Sequence, residues 1–192
     1  MASKNEITEA VDAIRQISDA GLLLFHCVSS YPAPTEDSNL QNMLWLKKSF
    51  SVEIGLSDHT VTNHACFGAV ALGASILERH FTDSMQRKGP DIVCSMDPTA
   101  LEELIRGSEI IYNQRDGNKS AVIEEAVTIN FAFASVVSIA PIKKGEKFSE
   151  QNIWVKRPGT GEYLAKDYES LLGRCACNDI NENVQIAKID VE

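Results

Sequence analysis

The sequence predicts a mixed α/β fold with parallel strands over roughly its first two-thirds, followed by a smaller β-rich unit. Three features carry that expectation. Apolar residues recur at helical spacing in Asn5–Ala20 and again after Asp97; between these helices lie short, continuously apolar runs; and beyond the charged stretch Arg115–Glu125 the texture changes to short β-like runs separated by turn residues. Helices alternating with strands that are apolar on both faces are the signature of a buried parallel sheet.

In order along the chain, Ile7, Val11, Ile14 and Ile17 form the stripe of a first helix, Gly21 stops it, and LLLF begins a buried strand. Ser51–Ile54 reads as a second strand ending at GLSDH, Ala65–Ala74 as a helix rich in alanine and glycine, and Ser75–His80 as a third strand. After the polar loop TDSMQRKGPD, Asp97 and Pro98 look like a helix start, with Leu101, Leu104, Ile105 and Ile111 as its buried stripe. ASVVSI, NIWVK and NVQIAKIDV are the β-like runs of the second unit, with KKGEKF and RPGTGE as turns.

Composition limits function. The 192 residues carry a formal net charge of -9, and no basic stripe is present to displace phosphate counterions, which argues against a nucleic-acid partner. The five cysteines (Cys27, Cys66, Cys94, Cys175, Cys177) follow no paired framework, the start MASKNEITEA has no signal-like apolar core, and no run is long enough for a bilayer. The expectation is a cytoplasmic protein with no membrane partner.

The chemistry gathers where strands end. LLLF runs into HCVSSYP, VEIGL into SDHT, and SILE into RHFTD, so parallel neighbouring strands bring His26, Ser57, His59, His80 and Asp91 to one rim. Any one of these histidines is as readily a satisfied core residue, but His59 and His80 at consecutive strand ends form a candidate metal pair. Two imidazoles leave several coordination positions open, which suits a divalent Lewis acid. His64, five residues past His59 and within the next helix, points elsewhere. Ser57 is equally a phosphate donor and a plain helix cap, and Asp91 a sugar-hydroxyl acceptor or a solvated loop residue.

The stretches HCVSSYPAP, GLSDHT, ERHFTDSMQRKGPDIVCSMDP and KKGEKFSEQNIWVKRPGTGE, followed by LLGR, together resemble the sialic acid (N-acetylneuraminate) synthase family. The resemblance runs over nearly the whole chain. It implies the last three β/α units of a TIM-barrel synthase at residues 1–118, a linker at 119–130, and an antifreeze-like (SAF) domain at 131–192. It further implies a transferase that condenses phosphoenolpyruvate with N-acetylmannosamine, or a related N-acetylated hexosamine, into a nine-carbon sialic acid and phosphate. His59 and His80 would bind a divalent cation, usually manganese; Ser57 would contact the phosphate; Ser29 stands where the family often has an asparagine near phosphoenolpyruvate; and Tyr31 and Asp91 would contact the amino sugar. Such enzymes are generally homodimers that exchange the small domain.

Two departures qualify the expectation. Phe133 stands where the family usually carries an arginine toward the sugar, and it cannot donate a guanidinium's hydrogen bonds. Fewer than 120 residues precede the linker, whereas a (β/α)8 barrel takes about 250. The family's earlier lysines, glutamate and glutamine have no counterpart here, so the chain alone is expected to be inactive. The alternative is a noncatalytic sugar-binding or regulatory module that docks on a full-length synthase; a zinc hydrolase lacks a third ligand.

Overall fold

The computed structural model describes residues 1–192. The chain divides into two units, Met1–Asn118 and Lys119–Glu192.

The first unit begins with α1 (Lys4–Ile17), whose Ser3 and Glu6 form a reciprocal capping box, and continues into β1 (Leu23–Cys27). Next come α2 (Gln41–Phe50), β2 (Glu53–Asp58), α3 (His64–Ala71), β3 (Ile76–Arg79) and the long α4 (Pro98–Arg115), which Asp97 caps at Ala100 N. The strands pair in parallel in the order β1-β2-β3, with His26 opposite Leu56, Ser57 opposite Glu78, and Asp58 opposite Arg79. One face of this sheet packs on the helices around Ile54, Leu56, Met43, Leu46, Cys66 and Ala69. The other carries Phe25, Gly55 and Ile76, and both Phe25 and Ile76 stay exposed.

Several elements differ from the sequence expectation, each for a physical reason. Helix α2 lies in a stretch where no element was expected; it buries Met43, Leu46 and Phe50 along one stripe. Strand β2 runs on to Asp58 instead of ending at Ile54. Gly55 is a mid-strand residue here and not a stop, because a Cβ there would meet the Phe25 ring at 2.7 Å and the Ile76 carbonyl at 2.9 Å. Helix α3 ends earlier than Ala74, where Leu72 caps it and Gly73 turns with φ +97°. In α4, Ile105 faces solvent instead of the core, while Gly107 leaves room for the Phe67 ring.

The second unit opens with a 3-10 turn at Ile123–Glu125 and α5 (Ala126–Ala132), so the stretch expected to be a linker is partly helical, started by Glu125 accepting from Val122 N. Strands β4 (Ser135–Ser138) and β5 (Ile153–Lys156) form an antiparallel pair, and α6 (Tyr168–Leu171) covers a core of Val136, Ile142, Phe148, Ile153, Leu171 and Ile186. The NVQIAKIDV run makes isolated bridges and a 3-10 turn in place of a strand, since Asp190 Oδ2 accepts from Ala187 N and closes the chain locally. No helix in either unit is long and apolar enough to cross a membrane.

The RPGTGE loop is tied down by the Ser135 hydroxyl together with the Gln185 amide, which donates to Pro158 O at 3.3 Å and Thr160 Oγ1 at 3.1 Å. Fully buried Ser135 donates to the Pro158 carbonyl at 2.8 Å and accepts from Gly161 N at 2.8 Å. Replacing Ser135 with alanine leaves Gly161 N without its partner and Pro158 O with the Gln185 amide alone, and is expected to destabilise the chain by about 1–3 kcal/mol in urea unfolding; a loss below a few tenths would show that water replaces the hydroxyl.

Candidate functional site

Strand alternation decides which residues reach the rim of the parallel sheet. Cys27, Ser57 and Glu78 share the face turned away from the helices, whereas His26 pairs with Leu56 on the helix-packed side. His26 therefore leaves the expected cluster. Its Nε2 donates to the Ser38 carbonyl at 2.8 Å and fastens the loop after β1.

The remaining residues come together. His59 directly follows β2 and is buried; His80 directly follows β3 and is partly exposed. Their ring centroids lie 5.1 Å apart in an edge-on arrangement, and the Tyr31 ring packs on both, at 4.2 Å from His59 and 5.6 Å from His80. Ser29 extends from the end of β1 beside Cys27, whose Sγ is 3.7 Å from Ser29 Oγ and 3.9 Å from His59 Nδ1.

The ring nitrogens are unequal in a useful way. His59 Nδ1 lies 3.1 Å from the Val28 carbonyl, which can only accept, so the proton sits on Nδ1 and Nε2 keeps its lone pair. His80 Nδ1 faces Asp91 Oδ2 at 3.7 Å, beyond hydrogen-bond reach but beside the carboxylate. Metal-binding histidines characteristically engage their second nitrogen in this way. A nitrogen–metal bond of about 2.1 Å plus the ring radius puts two ligating imidazole centroids at most about 6.5 Å apart, and this pair lies within that limit. No group of three or more His, Cys, Asp or Glu side chains is arranged to hold an ion unaided.

The structure places Asp91 against His80 on a half-exposed loop. Ser57 donates to Glu78 Oε1 at 2.7 Å, so its hydroxyl is already engaged and a carboxylate stands beside it. Glu78 is the rim residue that motif reasoning passed over. The period-2 register with Ser57 was the signal that could have found it. His64, expected inside α3, is its exposed first residue, bonded through Nδ1 to Thr62 Oγ1 at 2.8 Å. In the second unit Phe133 ends α5 more than half exposed, and Gly159 passes its backbone so closely that a Cβ would meet Phe133 Cβ at 2.6 Å.

Behind the rim, Cys66 is held as a thiol. Burial, then the Asp58 charge, pushes its pKa up to about 12. Because the folded value lies above the unfolded one, the chain loses stability as pH rises from about 9 toward 12. Cys66→Ala is expected to flatten that decline in urea midpoints measured across alkaline pH, and an unchanged slope would locate the effect elsewhere.

Comparison with known proteins agrees with this architecture. Residues 1–120 match the NeuB family and residues 133–192 the SAF domain. The N,N'-diacetyllegionaminic acid synthase of Campylobacter jejuni is 39% identical over 95% of this chain and 55% of its own length. The pseudaminic acid synthase of Helicobacter pylori is 32% identical over all of this chain and 56% of its own. A crystal structure of N-acetylneuraminic acid (sialic acid) synthetase from Leptospira borgpetersenii, 34% identical, superposes with a TM-score of 0.62 over 67% of this chain and 45% of that one. The chain thus spans about half the length of the curated relatives it matches. With a parallel α/β unit, paired strand-end histidines and a compact C-terminal β unit in that order, the chain belongs to the NeuB family and carries a C-terminal SAF domain.

Proposed function

We propose that the rim of the first unit binds a divalent cation, manganese by preference, through His59 and His80, as part of a synthase that joins phosphoenolpyruvate to an N-acetylated sugar. The observation that supports this most is the pair of imidazoles at consecutive strand ends, 5.1 Å apart at their centroids, with His59 Nδ1 engaged by the Val28 carbonyl and His80 Nδ1 beside Asp91. A cation held there supplies Lewis-acid polarisation of a substrate oxygen. The relatives' names, synthases of legionaminic and pseudaminic acids, support the same reaction class for a related sugar.

The chain's own residues have distinct parts in this reading. Val28 and Asp91 orient the two imidazoles. Tyr31, half exposed across both rings, shields them from bulk water and offers a hydroxyl and an apolar face to the sugar; Ser29 and Asp91 stand within the same rim. Ser57 can serve the phosphate by turning from Glu78, and Glu78 is then a carboxylate able to take or return a proton beside the reacting groups. The rim residues lie at the C-terminal ends of the parallel strands, and in the second unit exposed Phe133 offers an apolar surface without the donors of a guanidinium.

The gathered side chains include the carboxylates Glu78 and Asp91 and no lysine, and Arg79 is turned to Asp58, so the rim alone is poorly suited to a phosphorylated anion. The purified 192-residue chain is accordingly expected to release no phosphate from phosphoenolpyruvate with N-acetylmannosamine and manganese; measurable turnover would overturn that expectation. Metal binding is tested separately, by electron paramagnetic resonance titration with Mn2+. His59→Ala and His80→Ala should each weaken binding about tenfold or more, and unchanged affinity in both would remove these residues from the site. A sugar-binding module without catalysis would bind the N-acetyl sugar with equal affinity in the presence and absence of Mn2+.

A further inference from the structure

The Asp58–Arg79 pair sits immediately behind the two histidines. Asp58 precedes His59, Arg79 precedes His80, and the two are paired directly across the β2–β3 ladder. Both side chains are almost fully buried, at 3% and 1% exposure. By strand alternation they point into the helix-packed side while the histidines emerge past the strand ends.

The contacts form a clasp. Arg79 Nε lies 3.2 Å from Asp58 Oδ2, close enough for charge attraction but without hydrogen-bond alignment, while its two terminal nitrogens donate to the Thr60 carbonyl at 2.6 Å and to Asn63 Oδ1 at 2.5 Å. Asp58 accepts from Thr60 N and Thr60 Oγ1, both at 3.0 Å. His59 is therefore bracketed by Asp58 before it and Thr60 after it, and both neighbours are gripped by the residue that precedes His80. Asn63 in turn donates to Ala100 O and Glu103 Oε2 at 2.8 Å each, anchoring the clasp to α4.

We infer that Asp58 and Arg79 are positioning residues that fix the separation and tilt of His59 and His80, and so set the affinity of the rim for a divalent cation. The inference rests on the proposed metal role of those histidines. Its physical ground is that a buried ion pair contributes little net stability compared with apolar residues of the same volume, whereas its several directed contacts define one geometry. A guanidinium suits this because one planar group reaches three partners on different segments, which a lysine ammonium on a flexible stem does not reproduce.

The test uses the full 192-residue chain with two readouts: the inter-ring nuclear Overhauser effect between His59 and His80 without metal, and Mn2+ affinity by paramagnetic resonance. Arg79→Gln is expected to abolish the inter-ring signal and weaken Mn2+ binding about tenfold, with Arg79→Lys about threefold weaker. If Arg79→Gln does not fold, Arg79→Lys decides. Variants that lower the urea midpoint yet keep both the inter-ring signal and the Mn2+ affinity would show a purely structural pair and overturn the inference. Should the unsubstituted chain bind no Mn2+, the metal reading fails, and the inter-ring signal alone decides whether Arg79 positions the histidines.

Discussion

The parallel register between β2 and β3 governs the first unit. Pairing Ser57 with Glu78 and Asp58 with Arg79 brings two strands to the same height, so the residues that leave them, His59 and His80, emerge side by side. Parallel hydrogen bonding supplies the level, and side-chain alternation supplies the sorting. The polar pair Ser57–Glu78 faces away from the helices, the charged pair Asp58–Arg79 faces into them, and the imidazoles sit beyond both. A slip of one residue would exchange the faces, burying Glu78 among apolar helices and exposing Arg79. Leu77 packed against the core, with Ile76 exposed on the other face, excludes that alternative.

Each unit encloses its own core, and each handles buried polar groups in a different manner. The first uses a charged network in which every member reaches several backbone or side-chain partners. The second uses neutral side chains: Ser135 serves the RPGTGE loop with Gln185, Ser138 bonds Asn181 O and Val184 N, and the Asn152 amide bonds Ser149 N and Lys147 O. Both solutions pair most of the groups that would otherwise cost stability when removed from water, with Arg79 Nε left to charge attraction alone. The charged version additionally defines direction, which fits its place behind a site where ring orientation matters.

The α/β alternation, the change of texture after Asn118, and the pairing of His59 with His80 were all legible, because apolar periodicity and strand-end position leave direct traces in the residues. What escaped depended on a partner distant in sequence. Gly55 looks like punctuation until the Phe25 ring is seen occupying the space of its missing side chain. His26 looks like a rim residue until the register sets it opposite Leu56. The short helix over Gln41–Phe50 was hidden by its polar surroundings, although Met43, Leu46 and Phe50 carry a helical stripe. Glu78 was overlooked for the opposite reason: it lies inside a recognisable motif, and only its contact with Ser57 gives it chemical meaning. The actual ends of NVQIAKIDV were unreadable because one aspartate, Asp190, closes the turn locally and outweighs β propensity.

Tyr31 covers the two imidazoles unequally. Its ring lies across both imidazoles yet keeps nearly half its surface in solvent, 48%. His80 is therefore reached directly from solvent, whereas reaching buried His59 displaces one surface aromatic; Ala33 N and Met96 N, donating to the His59 and His80 carbonyls at 2.9 Å each, hold the backbone at both rings.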